Sequence, residues 1–249
     1  MLPRLPAIDD VDVGGSRVLV RVDFNVPLDP GGRILDDSRI RAHVTTVRAL
    51  LDGGCAVVLM SHQGRPGEDG FTQLRPHAEV LSRYLGGEVK FVEDVMGPAA
   101  LSEIGKLRGG EVLLLDNVRF VSEELVEAPP EVHARSFLAR RLAPLFDYYV
   151  FDAFATAHRS QPSIVGFPMV LRSVVGYVMK SEVEALGRII DSNYAPRVFV
   201  LGGAKVADTL KIIENLTRSR LADRILTTGL VALVFHAARG GMVSEHVLR

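Results

Sequence analysis

Hydrophobic positions along the chain follow two alternating rhythms. Short apolar, β-branched runs occupy residues 17–22, 56–60, 112–115, 148–151, 198–201 and 225–227, and each has the length and composition of a buried strand. Between these runs apolar residues recur at helical spacing. Ile40, Val44, Val47, Leu50 and Leu51 line one side of residues 39–51, and similar patterns cover 74–85 and 132–145. Residues 174–190 read as a long helix with an acidic and basic surface. They follow Phe167-Pro168 and precede Asn193-Tyr194-Ala195-Pro196, so they are expected to connect two α/β domains. Strands alternating with helices predict βαβ units, hence a parallel sheet covered by helices on both faces.

In such sheets ligands gather beyond the carboxyl ends of the strands. Five of the strand runs lead directly into polar, chemically specific residues. After Val22 come Asp23, Phe24 and Asn25, and after Met60 come Ser61, His62, Gln63, Gly64 and Arg65. Leu115 is followed by Asp116, Asn117 and Arg119, and Phe151 by Asp152, Thr156, His158 and Arg159. Leu201 is followed by Gly202, Gly203, Ala204 and Lys205. One such loop could be solvated connection and nothing more. Five on one predicted edge point to a site.

Composition and charge then exclude several classes. The 249 residues include 29 Lys and Arg against 30 Asp and Glu, which is not the basic footprint of a nonspecific nucleic-acid binder. The single cysteine, Cys55, lies in an apolar run and reads as a core residue. It permits no intrachain disulfide, which fits a reducing, cytoplasmic setting. No uninterrupted apolar segment reaches the ~18 residues of a membrane span, so no membrane association is expected. His43, His77, His133, His158, His236 and His246 show no metal-ligand spacing, and no protein-held metal is expected.

The segment Arg21-Val22-Asp23-Phe24-Asn25-Val26-Pro27 resembles the signature of the phosphoglycerate kinases. Four further segments are similar to that family, in the same order: Ser61-His62-Gln63-Gly64-Arg65-Pro66, Asp116-Asn117-Val118-Arg119-Phe120, Asp152 to Arg159, and Leu201-Gly202-Gly203-Ala204-Lys205-Val206. Residues 157–163 and 228–231 look most like archaeal members. The resemblance runs through essentially the whole chain. It implies two Rossmann-like parallel-sheet domains, the second incomplete, because family members continue beyond the position of Arg249. The implied division is a 3-phosphoglycerate-binding domain at 1–170, an interdomain helix at 171–190 and part of a nucleotide-binding domain at 191–249.

The implied reaction moves a phosphoryl group between 1,3-bisphosphoglycerate and ADP, giving 3-phosphoglycerate and ATP, with Mg2+ carried on the nucleotide. The acceptor carboxylate is already ionised at neutral pH, so positioning and charge neutralisation must do the work, without a general base. Cations are therefore expected, and Arg39, His62, Arg65, Arg119 and Arg159 are counted among them. The resemblance implies that Arg65, Arg119, Arg159 and His62 hold the substrate phosphate and carboxyl end. It gives Asp23 and Asn25 the substrate hydroxyl and carboxylate, and turns Arg39 toward the transferring group. Gly202 and Gly203, opening a helix, and Lys205 beside them would approach the nucleotide phosphates. Many family members carry a second lysine where this chain has Thr209, and Lys211 is expected to substitute for it. Two readings remain open at this point: a kinase, or a non-catalytic fragment that binds 3-phosphoglycerate only.

Overall fold

The computed structural model describes residues 5–190 and 195–244, and the chain divides into two compact units at Val183 and Glu184. His246 and Asn193-Tyr194 lie outside the described residues. In chain order the first unit contains β1 (Arg17–Arg21), α1 (Ser38–Asp52), β2 (Ala56–Met60), α2 (Arg75–Leu85), β3 (Val89–Val92), α3 (Pro98–Lys106) and β4 (Val112–Leu115). It continues with α4 (Pro130–His133), α5 (Phe137–Leu142), β5 (Tyr148–Phe151), β6 (Arg172–Val175) and the start of α6 (Tyr177–Ile190). The second unit adds β7 (Val198–Leu201), α7 (Val206–Arg218), β8 (Arg224–Thr227) and α8 (Gly229–Ala238). No described helix is long and apolar enough to cross a membrane.

The first six strands form one parallel sheet in the order β3-β4-β2-β1-β5-β6. Side chains alternate faces along a strand, and the burial follows that alternation. Val18 and Val20 pack on one side with Ile40, Val47 and Leu50 of α1 and with Ala78 and Leu81 of α2. Leu19 points the other way, into a second core with Ala100 and Ile104 of α3 and Leu138 of α5. Covering both faces explains why β2 reads as an unbroken apolar run, buried at every position. The chain leaves β1 toward β2 on one side and later returns to β5 on the other. The reversal between β1 and β5 is the kind of switch point at which a parallel sheet opens a crevice.

The second unit has a parallel pair, β7 and β8, whose residues alternate between exposed and half-buried. Its buried apolar side chains among the described residues are Leu216 and Val231.

Three expectations need correction. Residues 174–176 are not helical: Val174 and Val175 end β6, and the helix starts at Tyr177. The β-branched pair satisfies its backbone on the sheet edge beside β5, which a helical spacing count could not reveal. Residues 132–145 do not form one helix. The chain breaks after α4, and Ser136 caps a new start by accepting a hydrogen bond from the Ala139 N–H at 3.1 Å. Strands β3 and β6 and helix α3 were not anticipated. They are short, and both strands lie at sheet edges where fewer positions are apolar.

Candidate functional site

Directly after β1 the backbone of residues 23–26 has lost most of its sheet pairing, so its N–H groups need other acceptors. Side chains from neighbouring elements supply them. The Asp23 N–H donates to His43 Nε2 of α1 at 3.0 Å, the Phe24 N–H to Ser61 Oγ at 2.8 Å, and the Val26 N–H to Gln63 Oε1 at 3.0 Å. The Asn25 N–H turns to the Asp23 carboxylate at 3.2 Å, and Asn25 Oδ1 accepts from the Gly64 N–H at 2.9 Å. The loops after β1 and β2 are thereby locked together.

The β2 loop is fixed from the β4 side as well. Asn117 donates its amide to the carbonyls of Gln63 and Thr72, at 2.7 and 2.8 Å. Gly64 has φ +64°, and a Cβ there would lie 2.7 Å from the Gly70 carbonyl oxygen, so this turn admits only glycine. Arg119, itself buried, donates to the Gly64 carbonyl, which places it beside Arg65. Arg65 is exposed, 3.9 Å from Glu68.

Asp23 sits at the centre with 4% exposure, and Arg39 of α1 donates to its Oδ2 at 2.6 Å. His62 is equally enclosed. Burial, followed by the charges of Arg21, Arg159, Arg39 and Arg65, pushes its pKa down to about 2. His62 therefore does not belong with the cations, as the sequence led us to expect. It is neutral, and Arg21 Nη2, which can only donate, lies 3.3 Å from its Nδ1. That contact leaves the ring proton on Nε2. Its 3.9 Å approach to Asp23 is too long for a hydrogen bond and, with a neutral ring, is no ion pair. Arg159 shows the same crowding: burial first, then Arg65 and Arg21, lower its pKa below the ordinary arginine value, with Asp23 opposing. Positive groups that depress one another in this way make a ready anion site.

Arg21 was quoted in the signature but given no role. It is fully buried, and its Nε donates to Ser163 Oγ at 2.9 Å. Ser163 in turn donates its hydroxyl and its backbone N–H to the buried Glu124. Burial raises the Glu124 pKa, and the Arg21 charge works against that rise. This polar chain beneath His62 left one trace in the sequence: an arginine closing an apolar strand run. Glu124 and Ser163 left none.

In the second unit, Gly202 and Gly203 connect β7 to α7. A Cβ on Gly202 would fall 2.1 Å from Thr228 Oγ1, and Gly203 has φ +115°, so neither position accepts a side chain without rearrangement. Lys205 stands exposed at the N-cap of α7, where helix N–H groups attract anions. Thr209 is buried and turns its hydroxyl back to the Lys205 carbonyl at 3.3 Å. Lys211 lies on another face of α7 from Lys205, because six residues advance a helix by roughly 9 Å and about one and two thirds turns. Its Nζ is 4.0 Å from Asp208.

The sequence profile described as phosphoglycerate kinase matches residues 8–249. The chain belongs to the phosphoglycerate kinase family. It is 57% identical over 236 residues to the phosphoglycerate kinase of Saccharolobus solfataricus, an alignment spanning 95% of this chain and 58% of that protein. With the phosphoglycerate kinase of Aeropyrum pernix it shares 53% identity over 246 residues, 99% of this chain and 59% of the other. The crystal structure of phosphoglycerate kinase from Pyrococcus horikoshii superposes with a TM-score of 0.93 at 42% identity, covering 97% of this chain and 60% of that one. This chain thus spans less than two thirds of the length of these family members.

Proposed function

We propose that this chain carries the 3-phosphoglycerate site of a phosphoglycerate kinase in its first unit and part of the nucleotide site in its second. The reaction is phosphoryl transfer between 1,3-bisphosphoglycerate and ADP, giving 3-phosphoglycerate and ATP. One observation carries the reading: at the carboxyl edge of the sheet Arg39 lies on Asp23 at 2.6 Å, Arg21 lies 3.3 Å from His62, and Arg119 donates to the Gly64 carbonyl next to Arg65. Such a concentration of guanidinium groups favours an anionic ligand.

In this assignment Arg65, Arg119 and Arg159 hold the substrate phosphate, with guanidinium forks matched to its oxygens. Asp23 and Asn25 orient the hydroxyl and carboxylate end. His62 contributes a neutral Nε2–H donor, since its proton is fixed there by Arg21. Arg39 uses one nitrogen on Asp23 and keeps the others for the oxygens of the transferring group. A carboxylate oxygen of 3-phosphoglycerate attacks the terminal phosphorus of ATP as the bond to the ADP oxygen breaks. No proton moves, so no residue need serve as base. Gly202 and Gly203 would let phosphates approach the backbone, and Lys205 would place a point charge beside them. Bound with the nucleotide, Mg2+ would neutralise phosphate charge.

Calorimetry on the 249-residue chain tests this. It should bind 3-phosphoglycerate, and Arg65→Ala should weaken that binding by about tenfold or more, the worth of one charged hydrogen bond. Titration with MgADP reads the second unit separately. Equal affinity of wild type and Arg65→Ala for 3-phosphoglycerate would remove the substrate assignment. Binding of 3-phosphoglycerate without MgADP would reduce this chain to a substrate-binding module.

A further inference from the structure

One face of α1 presents Arg39, His43 and Thr46 in successive turns. His43 is 97% enclosed and makes two hydrogen bonds that differ in kind. Its Nε2 faces the Asp23 backbone N–H at 3.0 Å, a group that can only donate, so Nε2 must carry the lone pair. Its Nδ1 lies 2.7 Å from Asp152 Oδ2, and the ring proton must sit there. The other oxygen of Asp152 accepts from the N–H groups of Val178 and Met179, at 2.9 and 3.2 Å, at the start of α6. Thr46 Oγ1 takes the Tyr177 N–H at 3.0 Å. Gly176 closes the assembly, because a Cβ there would fall 2.3 Å from Asp152 Oδ1.

We infer that His43 is a positioning residue: Asp152, seated on the first turn of α6, imposes the Nδ1–H tautomer that lets His43 hold the backbone of Asp23 in register with the substrate. Among the described residues, the hydrogen bonds of the His43 ring run to the Asp23 N–H and to Asp152, and the ring meets that of Phe24 edge-on. The joint effect of Asp152 and His43 passes through which nitrogen bears the proton. The functional half of this inference rests on the substrate reading of Asp23 given above.

Asp152→Asn separates shape from proton placement. Its oxygen stays on the two helix N–H groups, and its amide turns a donor toward His43 Nδ1. The ring proton must then move to Nε2, where it opposes the Asp23 N–H. Nitrogen-15 NMR of histidine-labelled chain should show His43 protonated on Nδ1 in the wild type and on Nε2 in Asp152→Asn. The Asp23 amide should exchange at least roughly tenfold faster in the variant, and 3-phosphoglycerate affinity should fall about tenfold, the usual scale for a group acting through a ligand-holding residue. His43→Asn, whose amide can still donate to Asp152 but whose shorter side chain places no acceptor at the position of Nε2, should show the same two losses. A wild-type ring protonated on Nε2 would overturn the inference, even if neither variant folded. So would an Asp152→Asn chain with unchanged Asp23 exchange and unchanged affinity. If the wild type fails to bind 3-phosphoglycerate while tautomer and exchange behave as stated, the substrate reading falls and the control of Asp23 by Asp152 stands.

Discussion

The two units are built from the same βα repeat and differ in how much of it they cover. In the first, β1 and β2 have apolar side chains buried on both faces, and the site loops hang from strands that cannot shift without opening two cores. In the second, Val198, Val200 and Leu226 remain 48%, 64% and 53% exposed on parallel strands one residue shorter. Two parallel strands with so little cover are marginal as an independent sheet. Sequence alone makes a strand in both places, but only neighbours make it rigid.

The largest expected consequence is in local opening. Amides of β1 and β2 should exchange only on global unfolding, whereas those of β7 and β8 should exchange at least ~100-fold faster. Hydrogen exchange on the whole chain reads both, and equal protection would erase the contrast between units. Next in size is the response to truncation. Leu19→Ala empties a fully buried position between β1 and α3 and should cost about 2–5 kcal/mol in urea unfolding. Val200→Ala, with the side chain mostly in water, should stay within about 0.5 kcal/mol. A comparable loss at the two positions would mean that β7 is covered in solution.

A third contrast lies within the first unit and is set by pH. His62 has its pKa lowered to about 2 and His77 to about 4, from 6.5, burial being the main cause in both. The unfolded chain therefore binds protons that the folded one refuses. Stability is full above pH 6.5 and declines as pH falls, by at most about 1.4 kcal/mol per pH unit for each histidine. His62→Gln should flatten this acid limb below pH 6, measured against its own value at pH 7.5. An unchanged slope would mean that His62 is accessible to protons in the native state.

Much of this was legible beforehand because it depends on local pattern. Strands 56–60, 112–115, 148–151 and 198–201 were bounded correctly, since each apolar run ends abruptly at a polar loop. The loops after 56–60, 112–115 and 148–151 then met that after β1 at one edge, because parallel strands put their carboxyl ends there, whereas the loop after 198–201 belongs to the separate β7-β8 sheet. What stayed hidden depends on long-range burial. Nothing around His62 in sequence shows that four arginines will surround it, so its charge state was misjudged. Glu124 and Ser163 meet across 39 residues, and His43 meets Asp152 across 109. Lys211 was placed by analogy with Thr209, a position two residues away on α7.

The loop at 23–26 has one consequence for anyone recombining this chain with its relatives. Its shape is written elsewhere: in His43 on one helix, and in Ser61 and Gln63 at the end of another strand. A graft of the loop alone would arrive without its acceptors and leave three buried N–H groups bare. The transferable cassette is discontinuous. Breakpoints that separate residues 23–26 from positions 43, 61 and 63 should give chimeras that keep the fold and lose the loop, unless both parents carry the same residues at those three positions.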